Sequence, residues 1–219
     1  MSKSLLMGGV AMIAAVAGSA LATTVQVDIR GTVEYNQIKN GRLNKTDVPA
    51  GSPVVVSFLL DSTQYMNDPS NLPTRGYFLD QPSFRANFNG VEIGLEQPYM
   101  SGTPMFVLRD NDPAVDGFFL SNGTAWDWPV SMDEPGFFGP LGSHFKVTYE
   151  GDTLSSLNVE DAAGHYEYDG LTSYYFSVDD GGMDPMWIGF ESLDITVIPA
   201  PASFGLAGFA GIAALRRRR

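Results

Sequence analysis

Between residues 23 and 198 the apolar positions recur every second residue. Val25, Val27 and Ile29 alternate with Gln26, Asp28 and Arg30, and Val33 and Tyr35 continue the series past Gly31. This predicts a half-buried strand with a bulge at the glycine. After a polar, turn-forming segment from Asn36, the run from Pro53 to Leu60 is continuously apolar apart from Ser57. It predicts a central strand buried on both faces and ending at Asp61. A loop then leads to a short strand over 75–79. The clearest local signal is Asn89-Gly90 between two alternating stretches, 83–88 and 91–95, because that dipeptide suits a tight type I′ turn and so a β-hairpin. Residues 105–109 and 115–121 form a second predicted pair. The stretch 123–142 breaks the rhythm and reads as a long aromatic loop. Strands are expected again at 144–149, 155–160, 173–178 and 187–198. About ten strands without a long amphipathic helix predict an all-β, antiparallel β-sandwich with jelly-roll or Greek-key-like connections. That architecture is preferred to a closed barrel, which the same spacing allows.

Both ends depart from this pattern. Met1 to Ala22 carries Lys3, an apolar run from Leu5 to Ala17, and Ala20-Leu21-Ala22 as a small-x-small cleavage site. This is the plan of a secretory signal peptide, with a signal helix removed after Ala22. At the other end Pro199-Ala200-Pro201 stops the last strand, an apolar run extends from Ala202 to Leu215, and Arg216, Arg217, Arg218 and Arg219 end the chain. As a short hydrophobic helix that run would reach about 21 Å, less than the roughly 30 Å hydrocarbon core of a bilayer. Its expected membrane stage is transient, with the arginines held on the cytoplasmic side. The chain divides into a signal peptide (1–22), a β-domain (23–198) and a terminal segment (199–219).

Charge and cysteine content narrow the function. Residues 23–198 hold all 25 acidic residues but only eight of the 13 basic ones, a net charge of −17. Such a domain is a poor partner for nucleic acid or an anionic membrane surface, whereas cations and neutral glycans remain compatible. Without any cysteine there are no disulfides, thiolate metal sites or cysteine nucleophiles, so stability rests on the buried core.

The terminal segment resembles the PEP-CTERM sorting signal: a short proline motif, a short hydrophobic helix and a closing arginine cluster. Alanine stands at the position where the usual motif carries glutamate, and the resemblance covers about a tenth of the chain. It implies export, processing by signal peptidase and an exosortase-type enzyme, and a final place at the cell surface or in extracellular polymer. The run Phe58-Leu59-Leu60-Asp61 is similar to the end of a central strand in β-sandwich domains often joined to such a tail.

Candidate chemistry is sparse. No GxSxG, P-loop or Rossmann glycine pattern occurs, and His144 and His165 lack the short spacing of a zinc helix, so no catalytic residue is assigned. Asp110, Asp112 and Asp116, and likewise Asp179, Asp180 and Asp184, place hard oxygen ligands close together, as calcium prefers. Asx-turn capping explains the same spacing, so no cofactor other than calcium is considered. Trp126, Trp128, Phe137 and Phe138, interleaved with acids, either plug one end of the domain or present faces on which sugar rings stack. The expectation is a non-enzymatic surface or matrix protein associated with extracellular polysaccharide. A carbohydrate- or calcium-binding module comes second, and a secreted carboxylate-pair hydrolase last.

Overall fold

The computed structural model describes residues 22–70, 72–111, 115–123 and 127–199. Its strands are β1 (Thr24–Asn36), β2 (Pro53–Asn67), β3 (Thr74–Leu79), β4 (Arg85–Phe88), β5 (Val91–Ile93), β6 (Met105–Arg109), β7 (Val115–Ser121), β8 (Val130–Pro135), β9 (Pro140–Glu150), β10 (Gly164–Tyr166), β11 (Leu171–Asp179) and β12 (Met186–Ile198). Eight of them close a ring in the order β1-β12-β11-β9-β7-β6-β3-β2, and β2 pairs back onto β1 from Thr24–Asp61 to Thr32–Pro53. Every pairing is antiparallel; the β4–β5 hairpin extends from β2, β8 lies on β9, and β10 lies on β12. The all-β class expected from the alternation is observed. The sandwich is not: a closed barrel with extra strands takes its place. The reason is edge use, since β1 is hydrogen-bonded to β12 along one side and to β2 along the other, and closure removes the edges that a sandwich would leave.

Several local expectations hold. Val25, Val27, Ile29 and Val33 are buried on β1, and its register shifts between Arg30 and Gly31. A Cβ at Gly31 would lie 2.5 Å from the Gly189 carbonyl oxygen, so the bulge requires glycine. Asn89 and Gly90 both take positive φ, 55° and 89°, as a type I′ turn demands. β6 and β7 form the second expected pair.

Three strand expectations are corrected. β2 continues to Asn67, and only one of its faces is buried: Val54, Val56, Phe58 and Leu60 point inward while Val55, Ser57 and Leu59 are half-buried. The aromatic stretch 123–142 is largely a hairpin, with β8 and β9 joined through Gly136–Gly139. Val130, Met132 and Glu134 alternate inward there. Residues 155–160 form turns rather than a strand, because the Tyr77 hydroxyl donates to the Leu157 carbonyl at 2.7 Å and accepts the Val159 N–H at 3.1 Å, replacing ladder bonds. The terminal helices expected at either end lie outside the described residues, as do Ala20, Ala200, Pro201 and Arg216–Arg219. Among the described residues no helix is long and apolar enough to cross a membrane.

Aromatic side chains fill the ring. Phe58 stacks on Phe84 and leans on Phe106, Phe106 stacks on Phe118, and Phe118 meets Tyr149 and Tyr166. Phe145 contacts both Phe176 and Phe190. An eight-stranded barrel is just wide enough for side chains to occupy its interior. Ligand chemistry is therefore sought on the outer face and at the barrel ends.

Candidate functional site

The outer faces of β9, β11 and β12 carry the side chains that the core does not take. Phe145 and Phe176 point inward, so His144 and Tyr175 point outward. His144 lies opposite Ser177 on β11, and Ser177 lies opposite Trp187 on β12. Tyr175 packs between them, its ring 4.4 Å from His144 and 4.7 Å from Trp187, centroid to centroid.

The turn after β11 closes over this row. Gly181 and Gly182 adopt φ of 64° and 91°, where a side chain would strain the backbone. Asp184 is the fastener: its carboxylate accepts the Tyr175 and Ser177 hydroxyls, the latter at 2.7 Å, and its carbonyl accepts the Tyr35 hydroxyl at 3.1 Å. Asp180, almost fully buried, accepts the backbone N–H groups of Phe137 and Phe138, each at 2.9 Å. The β8–β9 tip is thereby bound to the acidic turn, and a Cβ on Gly181 would come within 2.6 Å of the Phe138 Cβ. The aromatic stretch and the second acidic cluster, separate in sequence, are one structural unit.

Between them lies a cleft of about 480 Å³ lined by Asp127, Trp128, Pro129, His144, Tyr175, Asp179, Gly181 and Gly182. A second cleft of similar size shares the tip and turn through Phe137, Asp180 and Met183, and is completed by Gln37, Ile38 and Lys39. Trp128, Phe137 and Phe138 are 59%, 84% and 61% exposed; these rings do not plug the barrel. Phe137 and Phe138 meet edge to face at 4.8 Å.

Burial dominates the electrostatics. It pushes the His144 pKa down, against the raising influence of the Asp179, Asp184 and Asp127 carboxylates and a hydrogen bond with the Asp127 backbone. It pushes Asp179 up, partly opposed by the Gly182 N–H and reinforced by the Asp184 charge. Tyr175 is pushed up to about 12, by burial first and then by its bond to Asp184, so its hydroxyl stays a donor. The site presents a neutral imidazole, a phenol, an indole and carboxylates.

The remaining candidates fall elsewhere. Trp126 and Asp112 lie outside the described residues. Asp116 is fully buried beneath the β6–β7 turn and accepts the N–H groups of Asn111 and Leu154, at 2.7 and 2.5 Å. Asp110 accepts the Asn111 side-chain amide at 2.8 Å. Asp110 and Asp116 in the first acidic turn, and Asp179, Asp180 and Asp184 in the second, thus bind the protein's own donors, as turn capping requires. Among the described residues no group of three or more histidine, cysteine, aspartate or glutamate side chains could hold a metal ion. His165 stands on β10 between Asp194, at 2.5 Å, and Glu167, at 2.9 Å, and takes no part in the cleft.

Sequence reasoning missed His144, Tyr175 and Trp187 as site residues. The available signal was the outward alternation of β11, in which Tyr175 sits among Ser173, Ser177 and Asp179 on a face that should be polar. No protein-family model, curated protein or solved structure matches this chain.

Proposed function

We propose that the chain is an exported, non-enzymatic surface or extracellular-matrix protein that binds polysaccharide through the cleft beside Trp128, without a cofactor. In this reading signal peptidase removes residues 1–22, the PEP-CTERM-like tail passes through the inner membrane transiently, and an exosortase-type enzyme processes it near Pro199. The observation that carries the binding role is the meeting of the exposed Trp128 indole with the Asp127 and Asp179 carboxylates in one cleft. Sugar rings stack their C–H faces on aromatics while carboxylates and backbone groups accept hydroxyl hydrogens. The second cleft across the tip suits a polymer that needs consecutive subsites.

Affinity electrophoresis of the purified protein through gels containing extracellular polysaccharides tests this. The intact protein is expected to be retarded, and Trp128→Ala to weaken binding about tenfold, equivalent to about 1.4 kcal/mol. Equal migration of the two proteins in every gel would refute the binding role. Release of new reducing ends would instead favour a secreted hydrolase, for which the raised pKa of Asp179 beside His144 is the supporting feature.

A further inference from the structure

We infer that the cleft selects a sugar bearing a free amine, a hexosamine whose ammonium sits between Asp127 and Asp179, over its neutral and anionic counterparts. This deepens the polysaccharide-binding reading and rests on it.

Among the described residues the cleft is lined by two carboxylates, Asp127 and Asp179, and by no lysine or arginine. Asp127, from the segment before β8, and Asp179, at the end of β11, line the same cleft, with Asp184 behind them on the Tyr175 and Ser177 hydroxyls. Their engagement differs. Asp179 accepts the Gly182 N–H at 3.0 Å, which leaves acceptor capacity on a group with about four lone-pair positions. Asp127 is exposed and faces the Lys146 ammonium at 4.0 Å, a loose pair, since Lys146 also lies over the Phe119 ring at 5.4 Å.

A neutral sugar fills such a cleft without using this charge, and a uronic acid or sulfated sugar is repelled by it. An ammonium group is attracted three ways: by two carboxylates, by the π-face of the exposed Trp128 indole, and by the field of a domain with a net charge of −17 over residues 23–198. The aromatic rings account for sugar binding in general; the Asp127–Asp179 pair accounts for the choice among sugars.

Isothermal titration of the purified protein at about pH 7, where a sugar amine keeps much of its charge and a carboxyl raised by burial, as Asp179 is, is more fully ionised than at acid pH, tests the inference. The probes are a glucosamine oligosaccharide, its N-acetylated counterpart, a uronic-acid oligosaccharide and spermine. The glucosamine oligomer is expected to bind at least about tenfold more tightly than the acetylated one. D127N/D179N should bring the two within about twofold, the glucosamine oligomer losing the larger share of its affinity, and W128A should weaken both. Because Asp127 is exposed, D127N alone must also reduce the preference, which keeps the test valid if the double variant is unstable. Equal or tighter binding of the acetylated or uronic oligomer overturns the amine inference but leaves polysaccharide binding standing. So does a preference that survives D127N, or spermine binding as tightly as the glucosamine oligomer, which would reveal charge attraction alone. Failure of all three oligosaccharides to bind overturns the polysaccharide reading along with it.

Discussion

Asp180 shows how much one side chain organises. Its two oxygens hold the amides of Phe137 and Phe138 across 43 and 42 positions of sequence. Asp180→Ala would leave both amides without this acceptor, and is expected to destabilise the fold by about 1–3 kcal/mol in urea denaturation, with Asp180→Asn costing less. His144 gives a pH signature. Burial lowers its pKa in the folded chain below the ordinary 6.5, so the unfolded chain takes up the proton first as pH falls. The stability tied to neutral His144 is present above the ordinary value and is lost as pH drops through it towards the folded value. His165 acts in the opposite sense, since Glu167 and Asp194 raise its pKa; its contribution is full below the ordinary value and fades as pH rises through the raised one. Asp179, raised by burial, also favours the folded chain towards acid pH. Comparing the protein with His144→Gln cancels His165; Asp179, whose rise the charged His144 opposes, is raised further in the variant, which acts in the same direction as the loss of His144. Between about pH 7 and about pH 5 the urea midpoint of the unmodified protein should fall more than that of the variant. At this scale Trp128, Phe137 and Phe138 could be picked out by type alone. The value of His144 and Tyr175 could not, because it depends on a neighbour from another strand.

Strands and turns were legible wherever the chemistry is local. Asn89-Gly90 announces its hairpin because left-handed backbone is accessible to few residues. A Cβ on Gly90 would meet nothing within 4 Å, so Gly90→Ala tests conformation rather than crowding. It should cost about 1–2 kcal/mol in thermal or urea unfolding, with the strands themselves unchanged. Two elements were read wrongly for opposite reasons. In 130–135 the period-two burial of Val130, Met132 and Glu134 was hidden because Glu134 is a buried acid, held by the Arg42 side chain at 2.6 Å and the Arg42 N–H at 2.7 Å. In 155–160 an alternating sequence forms turns, because Tyr77 from a remote strand satisfies its backbone.

For the whole molecule, closure of the ring helps a cysteine-free chain to hold a large negative charge: each of its eight strands pairs with a neighbour on both sides over at least part of its length, and the interior is packed with rings. The proposed export route makes one prediction at this scale. Intact-mass measurement of protein recovered from the native cell surface should show a chain lacking Met1–Ala22 and the four terminal arginines; full-length protein outside the cell would refute the sorting proposal. The sequence by itself determined the all-β class, the principal turns and the acidity, because alternation, glycine conformation and charge are properties of neighbouring residues. Only the tertiary structure decided that the strands form a barrel and that the aromatic tip, the acidic turn and the β9–β11 face share a cleft. Which edges pair, and which outward side chains become neighbours, depends on contacts between segments far apart in the chain, and hydrophobic alternation carries no record of those.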